Sequence, residues 1–131
     1  MTDAELTALA FSMLEKAYCP YSGFPVGAAL ESEDGRIFTG CNVENAAFGA
    51  SICAERTAVV KAVSAGAKRF RRIAVAGKSA DFCCPCGTCR QVLSEFSPNM
   101  TVLSANSAGE ILSQPLSALL PHSFGPHNLN D

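Results

Sequence analysis

The chain has 131 residues, 48% of them hydrophobic and 17% charged, with a formal net charge of -2. That length and composition predict one domain, residues 1–131, with an ordinary apolar core. The weak negative charge gives no general attraction to phosphate backbones, and no run approaches the ~20 apolar residues needed to cross a bilayer, so neither nucleic acid nor membrane is expected as a partner.

Thr2-Asp3-Ala4-Glu5 has the form of a capping box. Leu6, Leu9, Ala10, Met13, Leu14 and Ala17 then recur at helical spacing, which predicts a first helix with one apolar face. Cys19-Pro20-Tyr21-Ser22-Gly23 ends it, and Val26 to Leu30 and Ile37 to Cys41 flank Glu33-Asp34-Gly35 as a hairpin would. A second helix is expected from Cys53 to Ala65 with Gly66 closing it, followed by a short buried strand from Ile73 to Ala76. The basic run Lys68-Arg69-Phe70-Arg71-Arg72 between them reads as a solvated helix end and turn. Ala80 to Cys84 is a loop, and Pro85 suits the first turn of a third helix reaching about Phe96. Ser97-Pro98-Asn99 breaks that helix before candidate strands at Met100 to Leu103 and Glu110 to Leu112, and Leu116 to Leu120 is a last short helix. The order α-β-β-α-β-α-β-β-α implies a mixed sheet with helices packed on its faces.

Seven cysteines is an odd number, and their C-x-x-C clustering suits metal binding in a reducing compartment better than a secreted disulfide framework. The N-terminus lacks a basic region followed by an apolar one, so the cytoplasm is the expected setting. Cys19 and Cys41 are most simply buried small side chains, whereas His122 and His127 fall in a polar tail and are expected to be solvated.

Cys53-Ala54-Glu55 and, downstream, Pro85-Cys86-Gly87-Thr88-Cys89 carry the chemistry. Cys86 and Cys89 are three apart at a helix start, so their thiols share one face, while Cys53 comes from a second helix start. Helix N-termini lower thiol pKa values and favour thiolate ligation. Three ligands leave the fourth tetrahedral position of a zinc ion open to water, whose pKa falls from 15.7 to roughly 7 there. Glu55, at i+2 from Cys53, is poorly placed as a fourth ligand but can move that water's protons. Three thiolates give the ion a net negative site, and Arg56 beside it, with Arg90 as a second candidate, could draw charge from a thiolate by hydrogen bonding.

Cys53-Ala54-Glu55-Arg56-Thr57-Ala58 and Pro85-Cys86-Gly87-Thr88-Cys89-Arg90-Gln91 resemble the small, homotetrameric, zinc-dependent cytidine deaminases, whose superfamily signature is a metal-bound His or Cys, a nearby Glu and a later P-C-x-x-C. Phe24-Pro25-Val26-Gly27-Ala28-Ala29, Gly40-Cys41-Asn42-Val43-Glu44-Asn45-Ala46 and Leu119-Leu120-Pro121 are similar to family segments in the same order, so the resemblance covers nearly the whole chain. It implies an α/β fold, a three-layer α-β-α sandwich with a mixed five-stranded sheet. It implies a hydrolase of pyrimidine salvage that adds zinc-activated water to C4 of cytidine or 2'-deoxycytidine, releasing ammonia, with Glu55 as proton shuttle and one zinc held by Cys53, Cys86 and Cys89.

For the substrate, the resemblance implies that the Ala54 backbone N–H meets the pyrimidine carbonyl, that Phe24 packs on the ring and that Asn42 and Glu44 bind the ribose hydroxyls. A carboxylate at 44 favours nucleoside over nucleotide, because a phosphate would meet like charge. Phe48 and Phe124 resemble aromatic positions that reach a neighbouring subunit's site in a homotetramer.

Other readings of the same residues stand beside these. Cys83 or Cys84 could supply a fourth thiolate and close a structural zinc site, as in an interaction or RNA-binding module, and the family usually has a residue other than cysteine at position 84. Phe24, Phe48 and Phe124 are by spacing alone compatible with core packing, and Asn42 and Glu44 with a turn. A deaminase for an antibiotic nucleoside such as blasticidin S is disfavoured by Arg56-Thr57, a pair such enzymes usually lack.

Overall fold

Glu5 N–H donates to the Thr2 hydroxyl at 3.1 Å and the Glu5 carboxylate takes the Thr2 N–H at 2.9 Å, so the expected capping box forms and starts α1, Asp3–Ser12. This computed structural model describes residues 1–129. A 3-10 turn, Met13–Lys16, follows α1, and β1 (Val26–Ser32) and β2 (Ile37–Cys41) then pair antiparallel as the expected hairpin, with Ala28 opposite Gly40. The helix α2, Ala54–Ser64, stops where the sequence predicts: Gly66 takes a φ of +94°, and Ala67 N–H returns to the Ala62 carbonyl at 2.9 Å. The remaining strands and α-helices are β3 (Phe70–Gly77), α3 (Gly87–Phe96), β4 (Thr101–Ala105), β5 (Ile111–Pro115) and α4 (Leu116–Leu119), with short 3-10 turns at Phe48–Ala50 and Pro126–Asn128.

The five strands lie in the order β2-β1-β3-β4-β5, and β3 with β4 is the parallel pair among antiparallel ones. Alternation along the strands divides the core in two. Ala29, Ala74, Ala76, Leu103 and Ala105 face Leu6 and Ala10 of α1, while Ala28, Leu30, Ile73, Val75 and Val102 face Ala54, Ala58 and Ala62 of α2, Leu93 of α3 and Leu116 of α4. The result is the expected three-layer α-β-α sandwich. Small residues on the α1 face permit close approach: a β-carbon on Gly27 would lie 1.9 Å from the Ala10 carbonyl oxygen.

Three local expectations are corrected. Lys68 to Arg72 is not a helix end and turn, because β3 already begins at Phe70, whose buried ring packs 5.7 Å from that of Phe96. Arg72 points to the α1 side, where it pairs with buried Glu31 at 2.8 Å and with Asp3 at 2.6 Å. Pro85 lies before α3 rather than in its first turn, since Cys86 takes the N-cap position. Cys19 and Cys41 are half-exposed rather than buried, with the Cys41 thiol 3.5 Å from the Lys16 carbonyl. His122 and His127 are exposed, as expected.

Candidate active site

Two helix starts converge on one point. Cys53 is the N-cap of α2 and Cys86 the N-cap of α3, yet neither side chain caps its own helix, so both thiols are left for another task. Buried Cys89 joins them from the first turn of α3. The Sγ atoms of Cys53 and Cys86 are 3.9 Å apart and those of Cys86 and Cys89 3.4 Å, and all three lie within 4.8 Å of one another. Three thiolates bound tetrahedrally at ~2.3 Å would be ~3.8 Å apart, so the trio fits one zinc ion. Neither Cys83 nor Cys84 belongs to this group among the described residues, which leaves three thiols and not the four of a closed site.

The charges around Cys53 favour its thiolate. Hydrogen bonding from Cys89, and then from Arg56, lowers the Cys53 thiol to about 5, and the same contact with Cys53 raises Cys89. Arg56 Nη2 stands 3.4 Å from the Cys53 sulfur. Arg90, the second cation suggested by sequence, instead donates to the carbonyls of Pro85 at 2.8 Å and Leu119 at 2.9 Å, tying the loop before α3 to the end of α4.

Glu55 points from the first turn of α2 into the same place and is only 4% exposed. Burial, with the negative charge of Cys53 behind it, raises its carboxyl to about 7. It shares a cavity of about 310 Å³ with Cys53, Cys86, Ala54, Phe24 and Asn42. Three clustered thiols and a buried carboxyl able to change protonation near neutrality are the parts of a metal-assisted hydrolytic centre.

Comparison with known proteins gives the same answer. The family model for the cytidine and deoxycytidylate deaminase zinc-binding region matches residues 1–105. The chain belongs to this deaminase family. It is 48% identical over 117 residues to a cytidine deaminase of Sporosarcina psychrophila, covering 88% of this chain and 86% of that one. The crystal structure of a cytidine deaminase from Burkholderia pseudomallei superposes with a TM-score of 0.91 at 46% identity, over 95% of this chain and 100% of that one. That of Mycobacterium tuberculosis gives 0.82 at 38% identity, over 95% and 99%.

Within this deaminase, the remaining residues singled out from sequence fall into three places. Phe24, Asn42 and Ala54 line the thiol cavity. The Asn42 amide braces the β1 approach, donating to the Phe24 carbonyl at 2.9 Å and accepting the Val26 N–H at 2.9 Å. Glu44 and Phe48 line a second cavity of about 370 Å³ with Tyr21, Ser22 and Ser51, and Phe48 meets Tyr21 edge-on at 5.9 Å. Phe124 lines neither and is 58% exposed, with its carbonyl held by Gln91 at 2.8 Å. Ser22 is a residue the sequence argument passed over: it lines both cavities. No periodicity or spacing signals it, because its partner Glu44 is 22 positions away.

Proposed function

We propose that this chain, acting as one catalytic domain over residues 1–131, hydrolyses cytidine and 2'-deoxycytidine to uridine and 2'-deoxyuridine with release of ammonia, as a pyrimidine-salvage enzyme. The observation that carries this is the buried Glu55 carboxyl sharing one cavity with Cys53 and Cys86, two members of a thiol trio of zinc-ligand spacing completed by buried Cys89. Cys53, Cys86 and Cys89 would hold one zinc, which when bound supplies the Lewis acidity that makes water a nucleophile near neutral pH. Arg56 offsets the excess negative charge of three thiolates through its contact with Cys53.

Glu55 takes a proton from the attacking water and delivers it to N3 of the pyrimidine as the water oxygen bonds to C4. It then carries the second proton to the exocyclic amine, so that the C4–N4 bond breaks, ammonia leaves and the C4 carbonyl forms. Such positioned proton transfer contributes on the order of 10²- to 10⁴-fold. Ala54 is the first residue of α2, so its N–H has no intrahelical acceptor, which suits donation to the pyrimidine carbonyl. Phe24 packs on the ring, and Asn42 and Glu44 face the sugar.

Phe48 and Phe124, 75% and 58% exposed, would complete a neighbour's pocket in a homotetramer. Among the described residues no helix is long and apolar enough to cross a membrane, and the free thiols suit the cytoplasm. The test is the loss of cytidine ultraviolet absorbance with purified protein, together with sedimentation. Inertness toward cytidine overturns the activity, and a fully active monomer overturns the shared site alone.

A further inference from the structure

Two cavities meet at Ser22: one is lined by Cys53, Cys86 and Glu55, the other by Glu44 and Phe48. The Glu44 carboxylate is held by a short loop. Its Oε1 accepts the Tyr21 N–H at 2.9 Å and the Ser22 N–H at 3.1 Å, and its Oε2 accepts the Ser22 hydroxyl at 2.5 Å. A carboxylate oxygen has two acceptor sites, so Oε1 is filled and Oε2 keeps one for an incoming hydroxyl. The Ser22 oxygen in turn accepts the Phe24 N–H at 3.1 Å. With a lone pair committed to Phe24, the hydroxyl proton is directed at Glu44, and its bond to the charged oxygen holds that carboxyl below the usual carboxylate range.

We propose that Ser22 is a positioning residue for substrate discrimination: its hydroxyl fixes the Glu44 carboxylate relative to the backbone that carries Phe24, and so sets how strongly the sugar hydroxyls are read. This rests on the assignment of Glu44 to the sugar made above. One hydroxyl thereby couples the part of the site that grips the ring to the part that grips the sugar. Without it, Glu44 keeps its two backbone donors on Oε1 but loses the one contact that orients Oε2 among the described residues. The consequence falls on ligands that offer Oε2 a hydroxyl, and not on ligands that lack one.

The experiment compares uridine with 2',3'-dideoxyuridine as competitive inhibitors of cytidine turnover by the zinc-loaded protein. In the parent protein uridine should bind more tightly. Ser22→Ala should keep its zinc while the ratio of the two inhibition constants shrinks about tenfold, almost all of it from weaker uridine binding. Ser22→Thr, which retains the hydroxyl, should hold the parent ratio. Should Ser22→Ala fail to fold, Ser22→Cys, similar in size but a weak donor, should show the same loss of ratio. Equal weakening of both inhibitors would mean a structural role only and overturn the proposal, as would an unchanged ratio. A parent ratio of one would instead overturn the Glu44 assignment, and the Ser22 proposal with it, while leaving cytidine deamination itself intact.

Discussion

Gly40 and Ala54 touch backbone to backbone: a β-carbon on Gly40 would lie 2.3 Å from the Ala54 carbonyl oxygen and 2.7 Å from the Ala58 nitrogen. The neighbouring atoms are helix backbone, which cannot swing away. The glycine in β2 therefore sets how far the start of α2, and with it Cys53 and Glu55, can approach the sheet. Gly40→Ala should cost about 2 kcal/mol or more in stability by overpacking and lower zinc content. Thermal unfolding and elemental analysis check this. A variant as stable and as metal-loaded as the parent would show that α2 is placed by other contacts.

The thiol geometry separates ligands from bystanders. Cys86→Ala and Cys89→Ala should each lose zinc on dialysis, while Cys84→Ser should keep it, because Cys84 is exposed and outside the group of three. Elemental analysis of protein purified without added metal should give near one zinc per chain. Full occupancy in the Cys86 variant would assign the metal to other thiols.

Glu55 is buried beside the thiols but proposed to act on protons alone. Glu55→Gln keeps the shape and removes the exchangeable acid, so zinc content and unfolding temperature should stay near the parent values while turnover falls about 10²- to 10⁴-fold. Loss of zinc in this variant would make Glu55 a ligand.

Acid stability should depend on the pair of Glu31 and Arg72, side chains 6% and 14% exposed and joined by bonds of 2.8 and 3.1 Å. Hydrogen bonding from Arg72 lowers the Glu31 carboxyl below its ordinary value of 4.5. A folded value below the unfolded one means that the pair's stabilisation is fully present above about 4.5 and is lost as pH falls through the lowered value. Arg72→Met should destabilise by about 2 kcal/mol near neutrality and flatten the decline of stability below that pH. Denaturant titrations at several pH values read both effects, and parallel curves for variant and parent would exclude the pair as the acid-sensitive element.

Where a feature depends on neighbours in the chain, the sequence by itself determined it. The capping box of Thr2 and Glu5 closes over one helical turn, Gly66 stops α2 because a left-handed residue suits that position, and Cys86 with Cys89 share a face through a spacing of three. The Cys86 and Cys89 pair was legible for that reason, whereas joining Cys53 and Glu55 to it across more than 30 positions rested on the resemblance of the surrounding segments, which also supplied substrate and fold. Tertiary structure decided what rests on distant partners. The basic run at Lys68 reads locally as a helix end, yet Phe70 against Phe96 and Arg72 against Glu31, 41 positions away, make it a strand. Arg90 lies next to Cys89 in sequence but turns to the Leu119 carbonyl, leaving Arg56 to meet the thiols. The Ser22 hydroxyl becomes a link between two cavities only because folding brings Glu44 to it, and a hydrogen bond across that separation leaves no periodic trace in the chain.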